Sequence, residues 1–300
     1  METSSPAALF SPRLDALVPG TPIRVLGTDR LPADRIQISP GTIPAAREHY
    51  VADATIPVSN WRPALEDELS ILERGAPFLE RDSSEFVAVL KVPEALSENF
   101  AFIASAVKKH NKQSVVTNLF NHPKYRWSLT LLHRYLHSAG AGDKLRLLGH
   151  FSRPGGRSMG EHSTSVGDEG KYVGLHVDSW NTGTVSARES GYPTRFCMNL
   201  GPEARYFQFI NLPFRQIAQL ADYPTSDNPN TFAQDFLCRH RRYPVTKLRV
   251  EPGEAYVAPT EIIIHDGSTI GKNYFDASVT FLGAFTPEAI DRIADASIVK

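Results

Sequence analysis

The segment GLHVDSW at 174–180 places a histidine and an aspartate two positions apart. His176 and Asp178 follow apolar residues typical of a β-strand, and side chains two residues apart on a strand lie on the same face. An imidazole and a carboxylate on one face can share a metal ion. With 10 histidines and 16 aspartates in 300 residues, about half a His-x-Asp triplet is expected by chance, so the pair needs a third ligand.

A histidine further along the chain is the best candidate for that ligand. In the segment 251–267, EPGEAYVAPTEIIIHDG, a Pro-Gly turn is followed by a short strand, a break and the strand EIIIH, which ends at His265. A lone histidine at the end of an apolar strand is more often a hydrogen-bonded core residue. Beside His176 and Asp178, however, it completes two imidazoles and one carboxylate, the facial triad of non-haem Fe(II) oxygenases.

Three segments together resemble the Fe(II)/2-oxoglutarate-dependent oxygenases. They are HVD at 176–178, PGEAYVAP at 252–259 and IIIHDG at 262–267, and the resemblance covers roughly residues 144 to 285. It implies a double-stranded β-helix, or jelly roll, in which His176, Asp178 and His265 are both the catalytic centre and the iron ligands. It also implies 2-oxoglutarate as the cosubstrate, dioxygen as the oxidant, and a small-molecule substrate such as an amino acid or a natural-product intermediate.

The carboxylate of Asp178 bears on the outcome of the reaction. Related halogenases replace this residue with a small one to make room for chloride. Its presence therefore favours hydroxylation, desaturation or cyclisation of the substrate.

The cation that should hold the far carboxylate of 2-oxoglutarate is missing from its usual place. Many members of the family carry an arginine on the last strand, but the window FDASVT at 275–280 contains neither arginine nor lysine. Arg195, 19 residues after His176, suits members that anchor the cosubstrate from an earlier strand. Arg205 is the second candidate.

Three further residues are expected to contact the cosubstrate. Strand alternation places Asn199 on the same polar face as Arg195 and Cys197, away from the apolar residues between them. Ser278 and Thr280 on the last strand can add hydroxyl groups.

Two other functions stay open at this stage. One is a mononuclear iron oxygenase that takes its electrons from the substrate and needs no 2-oxoglutarate. The other is a non-catalytic β-barrel binding protein in which the triad is accidental.

Several other residues have weaker functional interpretations. His133 and His137 share a helix face but lack a third ligand. A short basic run lies at 239–243 and is expected to be a solvated face. Possible pocket residues, in or beside loops, are His150, His162, Trp180 and Asn181.

The predicted elements form one α+β domain over residues 1–300. Helices are expected at 63–75, 93–111 and 126–140, and a strand at 86–92. The predicted regions are an irregular N-terminal arm (1–60), a helical part (61–143), a jelly-roll core (144–285) with a helical insert (213–243), and a C-terminal tail (286–300). The Gly- and Ser-rich loop 152–170 is expected to be a mobile border of the site.

Composition excludes several other classes of protein. A net charge of −1 and 22% charged residues give no long-range attraction to nucleic acid or to an anionic membrane, and no apolar run could span a bilayer. Cys197 and Cys238 have no close spacing, so a disulfide framework is disfavoured, both are expected to be small buried side chains, and a reducing cytoplasm fits. The oligomeric state is left open.

Overall fold

The computed structural model describes residues 15–17, 23–26, 33–45, 48–74, 85–156, 163–167, 169–178, 184, 193–221 and 228–295. Its strands are β1 (Arg24–Leu26), β2 (Ile36–Ser39), β3 (Thr42–Pro44), β4 (Tyr50–Pro57), β5 (Arg62–Pro63), β6 (Phe86–Lys91), β7 (Arg146–Arg153), β8 (Tyr172–Gly174), β9 (Thr194–Asn199), β10 (Arg205–Pro213), β11 (Val245–Val250), β12 (Glu254–Ala258), β13 (Ile263–Ser268) and β14 (Asp276–Gly283). Its α-helices are α1 (Glu66–Arg74), α2 (Glu94–Ser97), α3 (Ala101–His110), α4 (Gln113–Phe120), α5 (Pro123–Ser138), α6 (Phe214–Ala221), α7 (Pro229–Arg239) and α8 (Pro287–Ala294), and short 3-10 helices occupy Ala33–Arg35 and Glu98–Phe100.

Two large sheets provide the framework. The first has six strands in the order β1-β6-β12-β9-β14-β7, and the second has five in the order β13-β10-β11-β2-β5. Every pairing in them is antiparallel except that of β1 with β6. A third, small sheet joins β3, β4 and β8.

The two large sheets face each other across a shared apolar layer. Phe207 and Phe209 from β10 lie in one cluster with Cys197 from β9 and Tyr256 from β12. The rings of Phe207 and Tyr256 stack at 4.3 Å between centroids, which joins the sheets directly. Side chains that point into this layer, from either sheet, are therefore available to form an internal site.

Helices cover the outer faces of both sheets. Alternation along β9 sends Phe196 and Met198 to the opposite side from Cys197, where they pack with apolar residues of α2 to α5 and α8. On the five-stranded sheet, Ile210 packs in a cluster with residues of α6 and α7. Helix α7 begins where the side chain of Asn228 accepts hydrogen bonds from the first backbone amides, and Pro229 occupies the first turn.

The α+β class and the large antiparallel sheets are confirmed. In the arm at 1–60, the short strands β1 and β2 pair into the two large sheets. The strand expected at 86–92 is present as β6, which lies between β1 and β12. The tail contains α8, which packs on the helical layer. Strands of three or four residues are too short to show an alternating hydrophobic pattern in the sequence. They are held in place by pairing with strands that are distant in sequence.

None of the helices in the described ranges has both the length and the hydropathy needed to span a bilayer.

The pairing of the arm with the core leads to a prediction about stability. Ile38 on β2 is 1% exposed inside the layer between the sheets, whereas Ile43 on β3 is 45% exposed. Ile38→Ala should reduce the free energy of unfolding by about 2–5 kcal/mol, because it removes apolar contacts and leaves a cavity. The matched change Ile43→Ala should cost less than about 0.5 kcal/mol. Chemical denaturation measures both; equal effects would mean that the arm is not part of the core.

Candidate metal centre

The segment that carries His176 is fixed by two neighbours. Strand β8 runs parallel to β4, and the amide of Leu175 donates to the carbonyl of Thr55 at 2.8 Å. One residue further on, the chain turns to β13: the amide of His176 donates to the carbonyl of His265 at 3.0 Å, and the reverse bond is 2.8 Å. The two histidines are thus held opposite each other before any side chain is considered.

Gly174 allows this close passage between strands. Its φ is +70°, and a Cβ there would lie 2.5 Å from the carbonyl oxygen of Thr55. Any other residue would push β8 away from β4 and displace His176 with it.

The three side chains named by the sequence converge. One donor atom each from His176, Asp178 and His265 lies within 4.8 Å of the others. The Nε2 atoms of His176 and His265 lie 3.8 and 3.7 Å from the two carboxylate oxygens of Asp178. A cation that sits about 2 Å from each donor requires separations of at most about 4 Å. The two His–Asp distances meet this limit, each to a different carboxylate oxygen, and the whole group, spread over at most 4.8 Å, needs only a small contraction to hold one ion.

Backbone carbonyls set the tautomers of both imidazoles. His176 Nδ1 lies 2.7 Å from the carbonyl oxygen of Gly174, and His265 Nδ1 lies 3.2 Å from that of Ile263. A carbonyl only accepts, so each Nδ1 carries the proton and each Nε2 presents its lone pair to the centre. His265 Nε2 is buried without a hydrogen-bond partner in the described structure, which is costly unless a ligand completes it. The donor set therefore fits a divalent transition metal.

Electrostatics keep two of the three donors, Asp178 and His265, in the forms that bind a metal. Burial would raise the pKa of Asp178, but Arg195, His265 and His176 outweigh it and hold that pKa well below its usual range. Burial lowers the pKa of His265 to about 3, so this imidazole is neutral at pH 7. Burial opposes a charge on His176 as well, but the nearby carboxylates of Asp178 and Asp266 raise its pKa, so without a metal this imidazole is easier to protonate than His265 and gives up that proton when a metal binds.

Arg195 lies beside the metal ligands. Its Nη2 is 3.0 Å from Oδ2 of Asp178; Asp178 is buried, and the side chain of Arg195 is 12% exposed. This differs from the expected contact with the far end of the cosubstrate, because the guanidinium already neutralises a residue at the centre itself.

A cavity of about 570 Å³ opens from the three donors. Of the expected cosubstrate residues, the cavity is lined by Arg195, Arg205, Ser278 and Thr280. Arg205 is 5% exposed, contacts Asp276 at 3.5 Å and donates to the sulfur of Cys197 at 3.0 Å, while its Nε has no hydrogen-bond partner in the described structure.

Asn199 does not line this cavity. Its amide donates to the carbonyls of Glu203 and Val250 at 2.9 and 3.0 Å and accepts from Gly201 at 2.9 Å. Asn199 shares the face of Arg195, as alternation requires, but it ends the strand and closes a turn instead of contacting a ligand.

The weaker candidates lie outside the donor group. His133 contacts the ring of Phe281, His137 is 3.8 Å from Asp143, and His150 stacks on Phe120. In the basic run, Arg241 and Arg242 are exposed. Cys197 is buried as expected, but Cys238 is exposed, contrary to expectation. His162, Trp180 and Asn181 lie outside the described residues.

The residues of the cavity wall that sequence reasoning did not assign to the site include Arg153, Cys197, Tyr256 and Asp276. Residues 164–167 of the expected loop border the cavity, whereas Arg153, which was assigned to the same loop, is the last residue of β7. Alternation from Arg195 and from Ser278 was the available signal for Cys197 and Asp276. Nothing in the sequence around Tyr256 distinguishes it from a core tyrosine.

Comparisons with known proteins give only a distant likeness to solved structures. No family model and no curated protein matches the sequence. Among solved structures, the chain is similar to the Kdo hydroxylase KdoO, a non-haem Fe(II) alpha-ketoglutarate-dependent dioxygenase, with 15% identity over 73% of this chain and 88% of that one (TM-score 0.36). It is also similar to the epimerase SnoN, solved with Fe3+, alpha-ketoglutarate and nogalamycin RO, with 13% identity over 71% and 86% (TM-score 0.36). The functional assignment below therefore rests on the geometry of the site.

The convergence of the donors predicts metal binding with a measurable effect on stability. Mn(II) or Co(II), at a free concentration a hundredfold above its Kd, should stabilise the wild-type protein by about 2.7 kcal/mol. His265→Ala should remove most of this stabilisation because it deletes one of three donors. His137→Ala, which changes an exposed histidine, should retain it. Thermal unfolding with and without metal measures the effect; equal stabilisation of both variants would contradict the site.

Proposed function

We propose that this protein is a non-haem Fe(II)- and 2-oxoglutarate-dependent oxygenase that hydroxylates, desaturates or cyclises a small molecule. The observation that carries the proposal is the convergence of His176, Asp178 and His265 at one end of a cavity with a buried arginine, Arg205, in its wall. Three protein donors leave other positions on a six-coordinate metal for cosubstrate and dioxygen. A volume of about 570 Å³ suits small molecules and not a folded partner.

We assign the two facing sheets to a jelly roll. The order β7-β14-β9-β12 in one sheet and β13-β10-β11 in the other supports this assignment, because consecutive strands such as β9 and β10, or β12 and β13, lie in opposite sheets. The antiparallel backbone pairing of His176 with His265 adds the chain at residue 176 to the edge of the second sheet, beside β13. The remaining strands widen the sheets at the side away from β7 and β13.

The protein itself supplies a fixed and protected donor set. When bound, Fe(II) with 2-oxoglutarate and dioxygen supplies the oxidising chemistry. The carbonyls of Gly174 and Ile263 orient the two imidazoles, and Arg195 keeps Asp178 ionised and holds its carboxylate in place. The ring of Phe207 lies 5.7 Å from that of His265 and excludes water from one side of the centre.

We assign the far carboxylate of 2-oxoglutarate to Arg205 in preference to Arg195. The Nε of Arg205 is buried without a partner, and an arginine can meet a carboxylate with two parallel hydrogen bonds. Thr280 lies close by, since its hydroxyl contacts the sulfur of Cys197 at 3.3 Å and the guanidinium of Arg205 contacts the same atom. Ser278 lines the same wall and can add a second hydroxyl.

Turnover of the cosubstrate tests the proposed function. Protein purified anaerobically and loaded with Fe(II) should convert 2-oxoglutarate to succinate and CO2 when air is admitted, faster with its substrate than without. Succinate formation across a panel of amino acids and natural-product intermediates is the measurement. Bound iron without succinate would favour the oxygenase that needs no 2-oxoglutarate. No metal binding at all would favour the non-catalytic binding protein.

Two arginine variants test the assignment of the cosubstrate anchor. Arg205→Gln should raise the apparent KM for 2-oxoglutarate at least about 30-fold, since losing a charge-assisted pair costs about 2 kcal/mol or more. Its metal-induced stabilisation should stay near that of the wild type. Arg195→Gln should instead weaken metal binding, because it removes the cation beside Asp178. The reverse pattern, with the larger KM effect in Arg195→Gln, would return the anchor to Arg195.

A further inference from the structure

The charged side chains around the cavity do not balance. Three arginines line it, at 153, 195 and 205, but the only carboxylates among the described lining residues are Asp178 and Asp276. Asp276 also contacts the buried ammonium of Lys272 at 2.6 Å, so this one carboxylate serves two cations, Lys272 and Arg205. Three arginines against two carboxylates leave an excess of one positive charge among these lining residues.

Loading the site would not remove this excess. A divalent metal adds two positive charges and 2-oxoglutarate adds two negative charges. Uncompensated positive charge in a partly enclosed cavity is unfavourable, so it attracts a further anion. The remaining occupant of the cavity is the substrate.

Among the described residues, Arg153 is the lining arginine that has no carboxylate at ion-pair distance. It ends β7, where its backbone pairs with Asp276 of β14, and its side chain is half-buried. Its guanidinium donates from Nε to the carbonyl of Thr164 at 2.7 Å and from Nη1 to that of Ser152 at 3.0 Å. No carboxylate within the described ranges lies at ion-pair distance. The two carbonyls fix the orientation of the guanidinium, and its charge is only partly offset because the nearby Asp276 is shared with Arg205 and Lys272.

Apolar side chains stand beside Arg153 in the same part of the cavity wall. Phe151, two residues earlier on β7, and Val173 of β8 are half-buried there, and Val166 is 37% exposed. Single exposed apolar residues need no explanation, but here they line a cavity next to a fixed cation. A ligand with an acidic group and an apolar body matches this combination.

We propose that Arg153 binds an anionic group of the substrate, so that the substrate is a small organic acid, a carboxylate or a phosphate ester, with an apolar body. This inference rests on the proposed function, because it assumes that Arg205 is occupied by 2-oxoglutarate. Arg153 is a specificity-determining residue: it selects the acid and orients its apolar body toward Phe151 and Val173.

A purely structural role for Arg153 makes a different prediction. Since it holds the carbonyl of Thr164, the arginine could serve only to keep residues 163–167 in place. Its loss would then weaken every ligand of the cavity equally. Recognition of an anion would instead weaken acids selectively and leave neutral analogues nearly unchanged.

The experiment compares matched acids and neutral analogues by calorimetry. Protein loaded with Mn(II) is first titrated with 2-oxoglutarate, which tests the proposed cosubstrate site by itself. The complex, with 2-oxoglutarate in excess so that Arg205 is occupied, is then titrated with 3-phenylpropionate and its amide, hexanoate and its amide, and 2-phenylethyl phosphate and 2-phenylethanol. Failure of the first titration counts against the proposed function, and the second series is then run without 2-oxoglutarate.

The expected result is that at least one acid binds the wild type tenfold or more tightly than its neutral analogue. Arg153→Gln should reduce that ratio below threefold by weakening the acid alone, and Arg153→Lys should give an intermediate ratio. Arg146→Gln, which changes an exposed arginine on the same strand, should keep the wild-type ratio. The phosphate and carboxylate pairs show which of the two anions is preferred. No preference for any acid, or a preference that survives in Arg153→Gln, would overturn the inference.

Discussion

Two reciprocal backbone hydrogen bonds between His176 and His265 are the constraint on which the site depends. They are 3.0 and 2.8 Å long and attach the segment after β8 to the edge of the five-stranded sheet. Because the side chains of opposed residues lie on the same side of a sheet, this pairing brings the two imidazoles together from positions 89 residues apart. Asp178 then joins them two residues further along, where its amide bonds the carbonyl of Thr260.

Buried charge determines the rest of the cavity. A buried carboxylate such as Asp178 is tolerated only beside cations, and Arg195 supplies one at 3.0 Å. The wall opposite repeats this arrangement with Asp276, Arg205 and Lys272, but with one cation too many. A site built in this way is incomplete without ligands. Under the proposed function, a metal would complete the donor group, the far carboxylate of 2-oxoglutarate would pair with Arg205, and an acidic substrate would pair with Arg153.

The metal donors could be predicted from the sequence because their signals are local. Spacing of two residues on a strand puts His176 and Asp178 on one face whatever the fold, and a turn followed by an apolar strand identifies His265. The same alternation correctly separated Arg195 from its apolar neighbours on β9. It could not show where along that face the cavity ends, so Asn199 was expected at the cosubstrate although it closes a turn.

Other features could not be predicted because they depend on partners distant in sequence. β1 and β2 are too short to show a period and exist only as additions to sheets formed by later strands. The pairing of Arg195 with Asp178 depends on the distance between β9 and the segment 176–178. The spacing of residues along the sequence does not give this distance. Arg153 was included in a loop because glycines follow it, and only its pairing with Asp276 extends β7 far enough to bring it to the cavity.

The most direct test of the account is the location of a bound metal ion by anomalous X-ray diffraction from crystals grown anaerobically with Fe(II). The account predicts one strong peak at the iron edge, about 2 Å from Nε2 of His176, Nε2 of His265 and a carboxylate oxygen of Asp178. A peak bound by other residues, or none at full Fe(II) occupancy of the solution, would contradict it.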